Sequence, residues 1–190
     1  MTRRGKFPDV GYPTPNLTGR LAVPLGVSYS YEPRTFDDLT PGDTFETPGR
    51  TITEADVVMH AGLTADWTEL HTNADYAQRG QFGERIVHGP FTYAVAVGLF
   101  LRTGVFERTL QAFLGMTHMD LPRPTFVGDT VSVTAEVAEC RPLDSRDDAG
   151  VVRLDCTVTN GDGETVLTFD LQFLVDREAT ASAHESGTNH

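Results

Sequence analysis

Polar and apolar positions alternate most plainly in the second half of the chain. Val131, Val133, Ala135 and Val137 fall on one face of an extended segment. Val152, Leu154, Cys156 and Val158 do the same, as do Leu167, Phe169, Leu171, Phe173 and Val175. Period-two alternation is the mark of half-buried strands. The stretches "SRDDAG" and Asn160-Gly161-Asp162-Gly163 separate these three runs as turns, the second a strong hairpin signal. A fourth run, "TLQAFLGMTHMDL", precedes them and reads as one more strand.

The pattern changes upstream. "LTPGDTFETPGRTIT" opens on a turn and continues as a short strand. Thr53 with Asp56 three residues on predicts a capping box, followed by a helix with Val57, Val58, Ala61 and Leu63 as its apolar stripe. "DWTELHTN" reads as a loop, and Asn73 as the cap of a short helix ending by Gly80. From Pro90 to Gly104, "PFTYAVAVGLFLRTG" is apolar almost all round, which predicts a helix buried on most sides. Helices early and an antiparallel meander late make an α+β domain, its sheet packed on one very apolar helix with the other face wet.

The length favours one domain at residues 35–176. Before it lies an arm, residues 1–34, either flexible or docked on the body or a partner. After it comes a polar tail, 177–190, predicted to be disordered. About 140 residues bury enough surface to need no disulfide or metal. A hairpin centred near Ser145 sets Cys140 opposite about residue 150 and Cys156 opposite about residue 134, too far apart to join. Both are expected to be reduced.

Net charge is −12, a field that repels nucleic acid. Arg85 and Arg123 remain candidates for meeting the phosphates of a small molecule, with surface ion pairs the plainer reading. The start of the chain shows no secretory signal and no stretch reads as a membrane span, so the cytoplasm is the default.

Most reaction classes find no residues here. The only lysine, Lys6, lies in the polar leader, which removes buried Schiff-base chemistry. No nucleophile elbow, Walker or Rossmann pattern occurs. The six histidines form no ligand motif by spacing, and His118 with Asp120 is at most a weak metal thought. General acid–base work remains. Asp66 and His71 are five apart, which on a helix would turn them ~140° from each other, so they cooperate only from a loop or across a turn. Gly89 lies just before Pro90, where free N–H groups and the positive end of a helix dipole gather. Such a place supports a developing oxyanion.

Three stretches, "ADWTELHTNADYA", "RIVHGPF" and "RPTFVGDTVSV", resemble the MaoC-like acyl dehydratases, the (R)-specific enoyl-CoA hydratase group of the hotdog superfamily. That family's signature runs Gly-Asp-x-Asn-Pro-Leu-His, with a later Val-His-Gly opening the central helix. The resemblance covers residues 36–176. It implies a hotdog fold, an antiparallel sheet wrapped around one long apolar central helix. It also implies that Asp66 and His71 are the catalytic pair and Gly89 the oxyanion donor. Ala65, Thr68 and Glu69 depart from the signature's glycine, asparagine and proline.

The implied reaction is hydration of 2-enoyl thioesters and its reverse, on acyl-CoA or acyl-carrier-protein substrates, without metal or cofactor, in a homodimer. An imidazole, with an ordinary pKa near ~6.5, suits taking a proton from water. Asp66 can hold that water, or deliver a proton if burial raises its pKa. Either group can be the giver at this level. His88 is read first as a turn-shaping residue and Trp67 as packing. Both, with Thr68, Pro90 and Tyr93, are candidates for contact with substrate. The rival readings are a non-catalytic thioester-binding subunit that needs a paralogous partner, and a hotdog thioesterase.

Overall fold

The computed structural model describes residues 31–177. The predicted tail from 178 onward and the arm up to residue 30 lie outside the described residues. The end of the arm is docked. Tyr31 N–H donates to the Thr103 carbonyl, its hydroxyl accepts from Glu46 N–H, and Arg34 N–H donates to Val105.

Strands β1 (Thr44–Glu46), β2 (Arg50–Thr51), β3 (Leu110–Gly115), β4 (Met119–Asp120), β5 (Thr130–Pro142), β6 (Ala149–Thr159) and β7 (Thr165–Asp176) form one antiparallel sheet. Its order is β1-β5-β6-β7-β3, with β2 on β5 and β4 on β7. The alternation in β5, β6 and β7 holds residue for residue: every inward position named from the sequence is at most 2% exposed. The Asn160–Gly163 turn closes β6 onto β7, with Gly163 at φ 77°.

Three strand-level expectations need correction. The meander covers only β5 to β7, because β3 crosses to the far side of β7. The run expected as one strand breaks into β3 and β4, because the Asp170 carboxylate takes the N–H groups of Thr117 and His118 at 2.7 and 2.9 Å. The outer face is only partly wet: Asp170 and Val166 are fully buried there. The β5–β6 register sets Cys140 opposite Val152 and Cys156 opposite Ala135, one or two residues from expectation, because a bulge between Val137 and Glu139 adds a step. Both cysteines are free, and burial pushes the Cys156 thiol up to about 12.

Helix α1 (Glu54–Thr64) starts on the predicted capping box. Asp56 N–H donates to the Thr53 hydroxyl, and Thr53 N–H donates to the Asp56 carboxylate. Arg50 also reaches Asp56 at 2.5 Å. Only Val57 and Ala61 of the expected stripe face inward; Val58 and Leu63 are exposed. The inward pair are four apart and share a face, whereas positions 58 and 63 are turned well away from it.

"DWTELHTN" is not all loop: α2 (Glu69–Thr72) is one helical turn inside it. Asn73 then caps α3 (Ala74–Gln78), accepting from Tyr76 N–H at 3.1 Å. Helix α4 (Gly89–Leu101) has Pro90 in its first turn and lies against the sheet. Thr92, Val95, Ala96, Leu99 and Phe100 are buried, while Ala94, Gly98 and Leu101 stay open along one side. Phe100 stacks on Phe173 of β7, 8° from parallel, and meets Phe45 and Phe106 at its sides. No described helix is long and apolar enough to cross a membrane.

Candidate active site

Helix α1 ends at Ala65, whose φ of 61° lies in the left-handed region. The reversed backbone turns the chain so that Asp66 leaves the helix axis. Glycine adopts this conformation freely, whereas a side chain costs roughly 1–2 kcal/mol there. Asp66 Oδ1 then accepts from the Thr68 hydroxyl at 2.5 Å and from Thr68 N–H at 3.2 Å. Such an Asx turn leads directly into α2, with Thr68 at its N-cap and Glu69 at its first position. His71 is on that single turn, while Asp66 precedes it. The pair therefore works across a turn, as the spacing requires.

His71 Nδ1 lies 2.8 Å from the carbonyl oxygen of Ile86. A carbonyl only accepts, so Nδ1 carries the hydrogen and Nε2 of the neutral ring keeps its lone pair. His88 lies beneath, fully buried, and donates from Nε2 to the backbone carbonyl of Asp66 at 3.0 Å. Burial pushes its pKa below the ordinary 6.5, and its Nδ1 has no partner among the described residues. The expected turn-shaping bond is thus present. The rings of His71 and His88 stack at 3.9 Å, and His60 meets His88 at 4.7 Å.

A carboxylate oxygen of Asp66 and one ring nitrogen each of His71 and His88 lie within 4.8 Å of one another. Two histidines and a carboxylate can hold a metal ion, but these rings lie face to face. His88 Nε2 already donates to the Asp66 carbonyl and His71 Nδ1 to Ile86, which leaves no more than one ring nitrogen on each for an ion. His118 is likewise occupied: it pairs with Asp170 at 3.1 Å, not with Asp120.

The condition under which Asp66 would deliver a proton, a pKa raised by burial, is not met. Its side chain is 42% exposed. The Thr68 hydroxyl, and after it the Thr68 N–H, hold the carboxyl below its usual range, with smaller help from His88 and His71. Asp66 is a carboxylate at neutral pH.

His71 and Gly89 line one cavity of about 380 Å³, together with Phe82, Ile86, Thr92 and the segment Leu121–Thr125. Gly89 is the first residue of α4, so its N–H has no carbonyl one turn back inside the helix. Asp66 is not among the lining residues but stands beside His71. Trp67 and Thr68 are exposed, Pro90 is exposed at the helix start, and the Tyr93 and Phe169 rings meet nearly at right angles, 5.1 Å apart. None of these four lines the cavity. Arg85 is committed to both carboxylate oxygens of Glu54. Arg123 lies at the cavity and pairs with Glu164 at 3.3 Å. Sequence reasoning missed Phe82, Thr92 and Leu121. The available signal is Pro122 and Pro124, which stiffen this connection, but nothing local says that it folds back on Gly89.

An antiparallel sheet wrapped on a central helix defines a hotdog domain, and in it an acid–imidazole turn and that helix's N-terminus meet beside one cavity. The chain belongs to the MaoC like domain family, whose model matches residues 37–160. Protein MaoC of Klebsiella aerogenes is 42% identical over 98 residues, which cover 52% of this chain and only 29% of that relative. The chain therefore matches under a third of that protein's length. A 3-hydroxybutyryl-CoA dehydratase of Methylorubrum extorquens is 36% identical over 132 residues, covering 70% of this chain and 78% of the other. The X-ray structure of a monoamine oxidase regulatory protein from Archaeoglobus fulgius aligns at a TM-score of 0.72 with 32% identity, covering 80% of this chain and 99% of that one.

Proposed function

We propose that this protein is a hydro-lyase that adds water to 2-enoyl thioesters and removes it from 3-hydroxyacyl thioesters, with Asp66 and His71 as its acid–base pair. The observation that carries this reading is the 2.8 Å contact between His71 Nδ1 and the Ile86 carbonyl oxygen. With Nδ1 donating to Ile86, Nε2 is a free acceptor beside a carboxylate that Thr68 keeps ionised. The relative named as a 3-hydroxybutyryl-CoA dehydratase supports the substrate class.

Asp66 orients the water over C3. His71 Nε2 takes one of its protons as the oxygen bonds to C3. The C2–C3 double-bond electrons shift to give an enolate, whose oxygen accepts from Gly89 N–H. Imidazolium then returns the proton to C2 and the carbonyl reforms, so water is added with no net proton gained or lost. An ionised Asp66 has no proton to give, which makes His71 the donor in this direction. A well-placed oxyanion donor is worth ~3–4 kcal/mol of barrier.

The three departures from the family signature do not break this arrangement. Ala65 holds the left-handed angle, Thr68 supplies the bond to Asp66, and Glu69 starts α2. We also infer a homodimer. β3 ends the sheet, its outer edge is unpaired among the described residues, and Phe113, Leu114 and Met116 are exposed along it.

The test is loss of the conjugated enoyl-thioester absorbance on adding the purified protein. Hydration by wild type that disappears in Asp66→Asn and His71→Ala supports the reading. Unchanged rates in both variants overturn the site. Thioester binding without turnover points to the non-catalytic subunit, and release of free thiol to a thioesterase.

A further inference from the structure

The segment Leu121–Thr125 forms one wall of the cavity and is held at both ends. On one side, Met119 and Asp120 pair with Phe169 and Thr168 of β7. On the other, Val87 N–H donates to the Thr125 carbonyl, and Ile86 bridges to Phe126. Between these anchors Pro122 and Pro124 fix two φ angles. The wall is therefore a stiff strap.

Leu121 is the apolar side chain that this strap lays against the Gly89 backbone. A Cβ built on Gly89 would meet Leu121 Cδ1 at 2.7 Å, with Cδ2 at 3.5 Å and Cγ at 3.7 Å. The space beside the Gly89 backbone is thus taken by a leucine methyl. Leu121 is also 45% exposed, far more than a residue placed for the core. The core residues of β7 that face α4 are at most 1% exposed.

From this geometry we infer that Leu121 is a specificity-determining residue, one that limits the bulk accepted at C2 of the acyl group. The inference rests on the hydratase reading, because it takes the thioester oxygen to sit on Gly89 N–H. Given that, the carbonyl carbon and C2 are the substrate atoms nearest the Gly89 backbone. The acyl tail, several bonds away, is beyond the reach of a side chain held against Gly89. Leu121 therefore discriminates on branching next to the carbonyl and not on chain length. One carbon's worth of room in an apolar pocket typically changes selectivity by about 10- to 200-fold.

The experiment compares wild type with Leu121→Ala and Leu121→Phe on three thioesters: an unbranched short 2-enoyl-CoA, its 2-methyl derivative, and an unbranched 2-enoyl-CoA four carbons longer. The expected result is a ratio of kcat/KM, 2-methyl over unbranched, that rises about tenfold or more in Leu121→Ala and falls in Leu121→Phe. The long-to-short ratio stays constant. A thermal melt of each variant checks that the fold is intact, which the exposure of Leu121 favours. A branched-to-unbranched ratio constant across Ala, Leu and Phe overturns the inference, and so does a shift confined to chain length. In both cases hydration by wild type leaves the functional reading standing. If wild type hydrates none of the three, the hydratase reading falls and Leu121 with it.

Discussion

The helix–sheet body and the Ala65–Thr72 turn are built from opposite chemistry. In the body, Phe100, Phe173, Leu154 and Val133 are at most 1% exposed, and their contacts are apolar and dense. In the turn, Trp67, Thr68 and Glu69 are exposed, and almost every contact is a hydrogen bond: Thr68 to Asp66, His71 to Ile86, His88 to the Asp66 carbonyl. The body derives stability from area removed from water, which tolerates small shifts in position. The turn derives geometry from directional bonds, which do not. Folding and the proposed catalysis thus rest on separate groups and should respond to separate mutations.

Phe100→Ala tests the body. Losing a ring enclosed by three other aromatics should cost about 3–5 kcal/mol, read as a fall in the urea midpoint. Enough folded protein to assay should still hydrate substrate. A loss under ~1 kcal/mol would show that the body is not the stable half. His71→Ala tests the turn. It should lower kcat/KM by ~10²–10⁴-fold while shifting the melting temperature little. A large loss of stability instead would make His71 a structural residue and erase the contrast.

A smaller effect lies where the two regions meet. His88 is buried and neutral, its pKa pushed below 6.5 by burial. Its unfolded form binds a proton more readily than its folded form. The stability this contributes is therefore complete above pH 6.5 and is lost as pH falls below that value, toward the lower folded pKa. His88→Gln should flatten the slope of stability against pH in that window. An unchanged slope would mean that His88 titrates alike folded and unfolded. Asp66 has the same sign at lower pH, because its folded carboxyl is depressed by Thr68: its contribution is present above about 3.8 and is lost below. The smallest expected change is a gain. Ala65→Gly removes the cost of a left-handed alanine but loosens the unfolded chain, so a net stabilisation of roughly 0.5–1 kcal/mol follows. A destabilised variant would show that the angle carries no strain.

Much of the body was legible because its signals are local. A capping box spans four residues and a strand alternates every two, so Thr53, Asp56 and the inward faces of β5, β6 and β7 could be read directly. Asp66, His71 and Gly89 were singled out by resemblance, and the need for a turn between the first two followed from helix geometry. Other features depend on distant partners. β3 crosses to β7, Asp170 breaks the strand run at Thr117, and only the folded chain brings those groups together. The ionised state of Asp66 was left open for a similar reason. Its sequence neighbourhood showed the carboxyl but not how much water would reach it.

What the chain determined on its own is the α+β class of the domain and which side chains are available for acid–base work, because periodicity and side-chain chemistry are written at short range. The tertiary structure alone decided which ring nitrogen of His71 is free, that His88 sits beneath the pair, and that Leu121 lies against Gly89. Each of these depends on an atom contributed from at least fifteen residues away, and only packing sets such a distance.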